Sequence, residues 1–127
     1  MKRRVLIVED EIIVADDLEH QLSHLGYEVV GAAGSGEEAV LLAHEERPDV
    51  VLMDMRLQGA MSGAEAAKII QRNTGAAIIF VTAFPTVFLR DPAQMTAPGI
   101  CLSKPFSPVQ LKVALDSVAP ESRAENQ

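Results

Sequence analysis

The sequence predicts an α/β fold built on a parallel sheet, and three observations carry that reading. Three short apolar runs, Val5-Leu6-Ile7-Val8, Val50-Val51-Leu52-Met53 and Ile78-Ile79-Phe80-Val81, are each bounded by polar residues. That is the pattern of strands buried on both faces. Segments with helical spacing alternate with these runs, as in folds where helices cover both faces of a parallel sheet. Each run also ends on a reactive side chain: Glu9-Asp10-Glu11 after the first, Asp54 after the second and Thr82 after the third. Ligands of parallel sheets bind at the carboxyl ends of the strands. If the three strands are parallel neighbours, acids and a hydroxyl converge on one sheet edge.

In chain order, Arg4 to Glu9 is the first strand. Glu11 to Leu25 reads as a helix, with Val14, Leu18, Leu22 and Leu25 at helical spacing and Gly26 as its stop signal. Tyr27 to Ala33 is the second strand. Ser35-Gly36-Glu37-Glu38 has the form of a capping box, and the helix it opens carries Ala39, Val40 and Ala43 up to Pro48. Asp49 to Asp54 is the central strand. Ser62-Gly63-Ala64-Glu65 is a second capping box, opening a helix with Ala66, Ala67, Ile69 and Ile70 inward and Lys68, Gln71 and Arg72 outward. Ala76 to Val81 is the fourth strand and Ile100 to Leu102 a short fifth. Ser107-Pro108-Val109-Gln110 supplies a cap, a proline at the first helical position and Gln at the third. Leu111, Leu115 and Val118 line one face of the last helix. Between Phe84 and Pro98 the alternation calls for a fourth helix, but Pro85, Pro92 and Pro98 leave room for a turn or two, so that helix is expected to be short, displaced or mobile.

Composition narrows the classes. A chain of 127 residues suffices for one domain with a real core, placed at 1–119 with a polar tail at 120–127. Apolar content is 48%, aromatic content only 4%, and there is no Trp, so the core is aliphatic. A formal net charge of -7 argues against nonspecific nucleic-acid binding. No apolar run approaches the roughly 18–20 residues that span a bilayer. The apolar run after Met1-Lys2-Arg3-Arg4 is too short for a signal peptide. The lone Cys101 forms no internal disulfide, which suits the cytoplasm.

Glu9, Asp10, Asp54, Thr82 and Lys104 each end or follow a strand at the same predicted edge. Clustered carboxylates repel, and oxygen donors without nearby Cys or His suit a hard cation, magnesium or else manganese. Lys104 brings a positive point charge on a flexible stem, a common phosphate holder, and Thr82 a hydroxyl donor. Together they describe a site where a carboxylate attacks a phosphoryl group while the developing charge is neutralised around it. Other residues take plainer readings. His20 and His24 lie four apart on the first helix but have no third ligand and read as a solvated face; Cys101 reads as a small core residue and the methionines as packing.

With those motifs in order, the chain resembles the response-regulator receiver domain of bacterial two-component signalling over residues 4–118. The paired acid after the first strand is Glu9-Asp10, the phosphoacceptor ending the third is Asp54, the hydroxyl ending the fourth is Thr82-Ala83, and the Lys-Pro after the fifth is Lys104-Pro105. The resemblance implies a flavodoxin-like (βα)5 fold with a five-stranded parallel sheet of order 2-1-3-4-5 and a cis bond at Lys104-Pro105. It implies Mg2+ held by Asp10, Asp54 and the backbone carbonyl of Arg56, with Glu9 acting through water. It implies phosphoryl oxygens held by the backbone N–H groups of Arg56 and Ala83, by Thr82 and by Lys104. The implied donor is a phosphohistidine on a sensor histidine kinase or a phosphotransfer protein, docking on the first helix around Val14 and Ala15. The downstream partner is a protein; neither nucleic acid nor membrane is contacted directly.

Departures from the family pattern refine the resemblance. Glu stands at position 9 where Asp is commoner. The loop after Asp54 reads Arg56-Leu57-Gln58-Gly59, lacks the usual proline and reaches its glycine, Gly63, one residue late. Cys101 holds the position where a rotating Tyr or Phe is usual, so signalling without a rotating aromatic is expected. The Thr82-Ala83-Phe84-Pro85 stretch and the shrunken fourth helix resemble the receivers of general-stress anti-sigma-factor antagonists and related stand-alone receivers. A stand-alone receiver signalling by protein contact or phosphorelay is therefore expected, catalysing only its own phosphorylation and dephosphorylation. Two other readings are a phosphate-independent pseudo-receiver and a metal-dependent aspartyl phosphatase. The intact acid set with Thr82 and Lys104 argues against the first. Arg56, where such hydrolases carry a second Asp, argues against the second.

Overall fold

The computed structural model describes residues 3–57, 59–83 and 99–118. Five strands, β1 (Arg4–Val8), β2 (Glu28–Ala33), β3 (Val50–Asp54), β4 (Ala77–Thr82) and β5 (Ile100–Ser103), form one parallel sheet of order β2-β1-β3-β4-β5. The described helices are α1 (Ile12–His24), α2 (Gly36–Glu46), α3 (Gly63–Thr74) and α4 (Pro108–Ser117). The order matches the flavodoxin-like expectation, and element ends differ from the sequence reading by about a residue, as helix and strand ends do. The expected fourth helix within 84–98 and the tail at 120–127 lie outside the described residues.

Alternation along the strands sends side chains to two separate cores. Leu6, Val8, Val51, Met53, Ile78 and Phe80 pack under α2 and α3 against Ala39, Ala43, Ala66, Ala67 and Ile70. Val5, Ile7, Val50, Leu52 and Ile79 pack on the other side against Leu18 and Leu22 of α1 and Leu111 and Leu115 of α4. Alanines dominate the α2 and α3 faces, so these helices lie close to the sheet and to each other. Of the methionines, Met53 and Met55 are buried and Met61 is packed against the first core, in keeping with a packing role.

Pairing of β1 with β2 is irregular. Val5 faces Val29 but Leu6 faces Gly31, so Val30 is an extra residue in β2. This bulge returns Ala33 to register with Val8. Among the glycines, Gly99 (φ +118°) crosses the backbone of Ile78 so closely that a Cβ would lie 2.3 Å from the Ile78 carbonyl oxygen. Only glycine fits that entry to β5.

The caps are those read from the sequence, with one correction. Ser62 with Glu65 and Ser107 with Gln110 form reciprocal capping boxes, each contributing about 1 kcal/mol through its cap residue. Ser35 accepts from the Glu38 N–H at 3.1 Å, but the Glu38 carboxylate accepts from the Gly34 N–H at 2.7 Å rather than from Ser35. The extended Ser35 thus leaves the return bond to its predecessor. At the far ends, the Arg4 guanidinium donates to the carbonyl oxygens of Glu46 and Arg47 and pairs with the Glu46 carboxylate at 3.2 Å. Arg47 donates to the Asn73 carbonyl oxygen at 3.2 Å. Cations thereby meet the partial negative charge of the α2 and α3 C-termini. Cys101, expected in the core, is only half buried in β5, an edge strand with no fully buried residue.

Candidate functional site

The parallel register brings the strand ends together. Val8 pairs with Met53, so Glu9 and Asp54 are next to one another at the C-terminal edge, and Thr82, paired with Ser103, lies one residue beyond Val81, the partner of Asp54. Glu9, Asp54 and Thr82 are 6%, 7% and 4% exposed, which is unusual burial for such groups. Asp10 and Lys104 are half buried; Arg56 and Ala83 are exposed beside them.

Backbone bonds hold this edge. The Glu9 N–H donates to the Ala33 carbonyl oxygen at 2.8 Å, fixing the end of β1 to β2. The Met55 N–H donates to Val81 at 3.2 Å and the Lys104 N–H to the Thr82 carbonyl oxygen at 2.8 Å, tying the residues after β3 and β5 to β4. The Lys104-Pro105 bond is cis, as the resemblance implies. Asp54 Oδ1 accepts the Arg56 N–H at 2.8 Å, which orients the carboxylate from its own loop.

One carboxylate oxygen from each of Glu9, Asp10 and Asp54 lies within 4.8 Å of the others. The Glu9 carboxyl resists ionisation, and burial is the main cause. Burial pushes its pKa up to about 7, the Glu11 N–H bonded to Oε2 at 3.2 Å opposes the shift, Asp54 adds to it and Lys104 opposes it. Lys104 Nζ lies 3.4 Å from Glu9 Oε1. A set of three oxygen donors, two of them buried, with one carboxylate held back from ionising fits a hard divalent cation, which would restore that charge. Such a centre takes Mg2+ or Mn2+ in preference to softer metals.

All the residues singled out by the sequence for this edge are brought together. Three features were missed. The Glu9–Lys104 pair depends on the reach of two long side chains and leaves no trace in spacing. Ile12 and Ile13 at the start of α1 are 85% and 84% exposed, and the sequence did show them outside the Val14, Leu18, Leu22 stripe. A cleft of about 270 Å³ runs between α1 and the end of β2, with Ala15 and Ala33 in its walls and Asp10, Asp16 and Glu19 around it. His20 Nδ1 donates to the Asp16 carbonyl oxygen at 2.9 Å and is exposed, in line with a solvated face.

A parallel 2-1-3-4-5 sheet with acids, a hydroxyl and a Lys-Pro at its carboxyl edge defines a signalling receiver. The chain belongs to the response regulator receiver family: the model described as "Response regulator receiver domain" matches residues 5–116. It is 41% identical over 114 residues to the transcriptional regulatory protein PdtaR of Mycobacterium tuberculosis, covering 90% of this chain and 55% of that protein. The chain spans about half the length of the curated relatives it matches. Among solved structures it is similar to the anti-anti-sigma factor PhyR from Bartonella quintana (TM-score 0.84, 32% identity, 99% of this chain and 51% of that one), in keeping with the resemblance to anti-sigma-factor antagonists. It is also similar to the receiver domain of the sensor histidine kinase PA1611 from Pseudomonas aeruginosa PAO1 (TM-score 0.81, 30% identity, 92% and 97% covered), whose cleft holds a magnesium ion. No helix among the described residues is long and apolar enough to cross a membrane.

Proposed function

We propose that Asp54 accepts a phosphoryl group from a phosphohistidine of a sensor histidine kinase or phosphotransfer protein. The observation that carries this is the convergence of Asp54 with Glu9, Asp10, Thr82 and Lys104 on one sheet edge, two of the three acids and the threonine buried. An Asp54 carboxylate oxygen attacks phosphorus, the phosphorus–nitrogen bond to the imidazole breaks, and an acyl phosphate forms on Asp54. The bond from the Arg56 N–H to Oδ1 points the carboxylate before the donor arrives. Phosphoryl oxygens are received by the Arg56 and Ala83 N–H groups, the Thr82 hydroxyl and Lys104 Nζ.

Asp10, Asp54 and the Arg56 carbonyl would hold Mg2+, with Glu9 acting through water; Mn2+ is the alternative. The bound cation supplies charge neutralisation between the carboxylates and the incoming phosphoryl oxygens. Ile12 and Ile13, exposed beside half-buried Val14 and Ala15, extend the α1 docking face for the donor protein. Output passes by contact with a downstream protein or by phosphorelay, and the protein acts in the cytoplasm. It is not an enzyme toward any other substrate.

The test is to mix the protein with acetyl phosphate, with and without Mg2+, and weigh it by intact mass spectrometry. Gain of one phosphoryl group that needs Mg2+ and is lost in Asp54→Asn is the expected result. No gain under any condition would establish the phosphate-independent interaction module instead.

A further inference from the structure

We propose that Met61, seated on Gly36 at the first turn of α2, is a positioning residue for the Asp54 site: it holds the connection between β3 and α3 and, through it, the Arg56 N–H that orients the acceptor carboxylate. The inference rests on the phosphoacceptor reading above and deepens it by naming what steadies that connection.

The connection has little stiffness of its own. No proline stands between Asp54 and Ser62, and Gly59 takes φ +105°, a conformation that L side chains rarely adopt. Its hold comes from outside. Leu57 and Met61 both pack, half buried, against the core under α2 and α3. Gly36, the first residue of α2, is buried, and a Cβ there would lie 3.1 Å from the Cβ, the Cγ and the carbonyl oxygen of Met61. Glycine is a poor helix former, and Gly36 has no positive φ to account for it; the close approach of Met61 does. The next residue of α2 touches the same connection, with Glu37 Oε1 3.6 Å from a Cβ placed on Gly59.

The seat itself is fixed. Ser35 caps α2, and the Glu38 carboxylate reaches back to the Gly34 N–H at 2.7 Å. The Ala33 carbonyl oxygen accepts the Glu9 N–H at 2.8 Å. The corner between β2 and α2 is therefore tied to β1 on one side and carries Met61 on the other. From Met61 the effect runs both ways along the chain. Ser62, directly after it, caps α3. Arg56, earlier in the connection and next to Leu57, donates its N–H to Asp54 Oδ1 at 2.8 Å. Loss of the side chain at position 61 leaves Leu57 to hold the connection from its near end, and Arg56 is freer to leave the carboxylate. Orientation of a nucleophile acts on rate more than on affinity.

The experiment is amide hydrogen exchange by NMR on the wild type, Met61→Ala and Met61→Leu. In Met61→Ala the Arg56 N–H is expected to exchange about tenfold faster, a larger factor than at Leu6 or Leu52. Met61→Leu, which refills the seat, should return most of the protection. An unchanged Arg56 rate, or one no more accelerated than those of Leu6 and Leu52, overturns the proposal. With acetyl phosphate and Mg2+, Met61→Ala should lose about fivefold in maximal rate at an unchanged half-saturating concentration of acetyl phosphate. A normal rate beside faster Arg56 exchange overturns the link to the site. Gly36→Ala covers the case in which Met61→Ala folds poorly: the added Cβ should shift the Met61 methyl signal and the Arg56 amide signal together, and either one standing still overturns the coupling. A protein whose Arg56 exchange responds as stated but which takes no phosphate overturns the proposed function and leaves the hold on Asp54 in place.

Discussion

Gly63 packs against the carbonyl oxygen of Asp54, so closely that a Cβ on Gly63 would lie 2.6 Å from that oxygen. The first residue of α3 is thereby pressed onto the backbone of the candidate phosphoacceptor. Gly is a poor helix former, and its presence at this helix start is explained by close approach.

Gly63→Ala is expected to destabilise the protein by about 1–3 kcal/mol, the usual cost of overpacking. Because backbone and not a flexible side chain is in the way, Asp54 itself has to shift. Phosphorylation by acetyl phosphate should slow in the folded fraction. Thermal unfolding and intact mass measured on one sample check both; a stable variant with normal phosphorylation would show that α3 is free to retreat.

The pKa of Glu9, raised to about 7 by burial against an ordinary value of 4.5, predicts a pH dependence. Between these values the folded protein binds a proton that the unfolded chain does not, so this group's contribution to stability rises as pH falls from 7 toward 4.5. Above 7 the buried carboxylate is ionised and the contribution is at its least. The difference in Tm between the metal-free wild type and Glu9→Gln, followed from pH 5 to pH 8, should show that slope. Mg2+ affinity should fall over the same window as pH drops, because the proton competes for the same oxygen.

Ile12→Asp and Ile13→Asp address docking. Both side chains are more than four-fifths exposed, so stability should stay within about 0.5 kcal/mol of the wild type. Phosphorylation by acetyl phosphate, which has no docking surface, should be unchanged. Transfer from a histidine phosphotransfer protein that phosphorylates the wild type should slow about tenfold or more, the scale of a lost interface anchor. Equal transfer rates would remove the start of α1 from the docking face.

Much of this arrangement was legible because it rests on local rules. Val50 to Asp54 reads as a strand since all its side chains are apolar until the acid, and the capping boxes at Ser62 and Ser107 announce their helices directly. Strand order was legible only through the resemblance, since nothing in β1 or β3 alone says that they are neighbours. What escaped depends on distance in space. The Glu38 carboxylate bonds Gly34 instead of Ser35 because of the path taken by the chain out of β2. Cys101 is half exposed because β5 lies at the sheet's edge, a property of topology and not of the thiol.

The extra residue in β2 gives the edge strand a measure of slack. With Val30 opposite no residue of β1, the pairs before it and after it stand on their own. Removing Val30 would leave Leu6, Ile7 and Val8 facing Gly31, Ala32 and Ala33 as before, and the Ala33 carbonyl oxygen would still meet the Glu9 N–H. Removing Ala32 instead would draw the irregularity toward the acids. Tolerance to changes of chain length in this strand is therefore set by where the change falls, and it is greatest three pairs below the acidic edge.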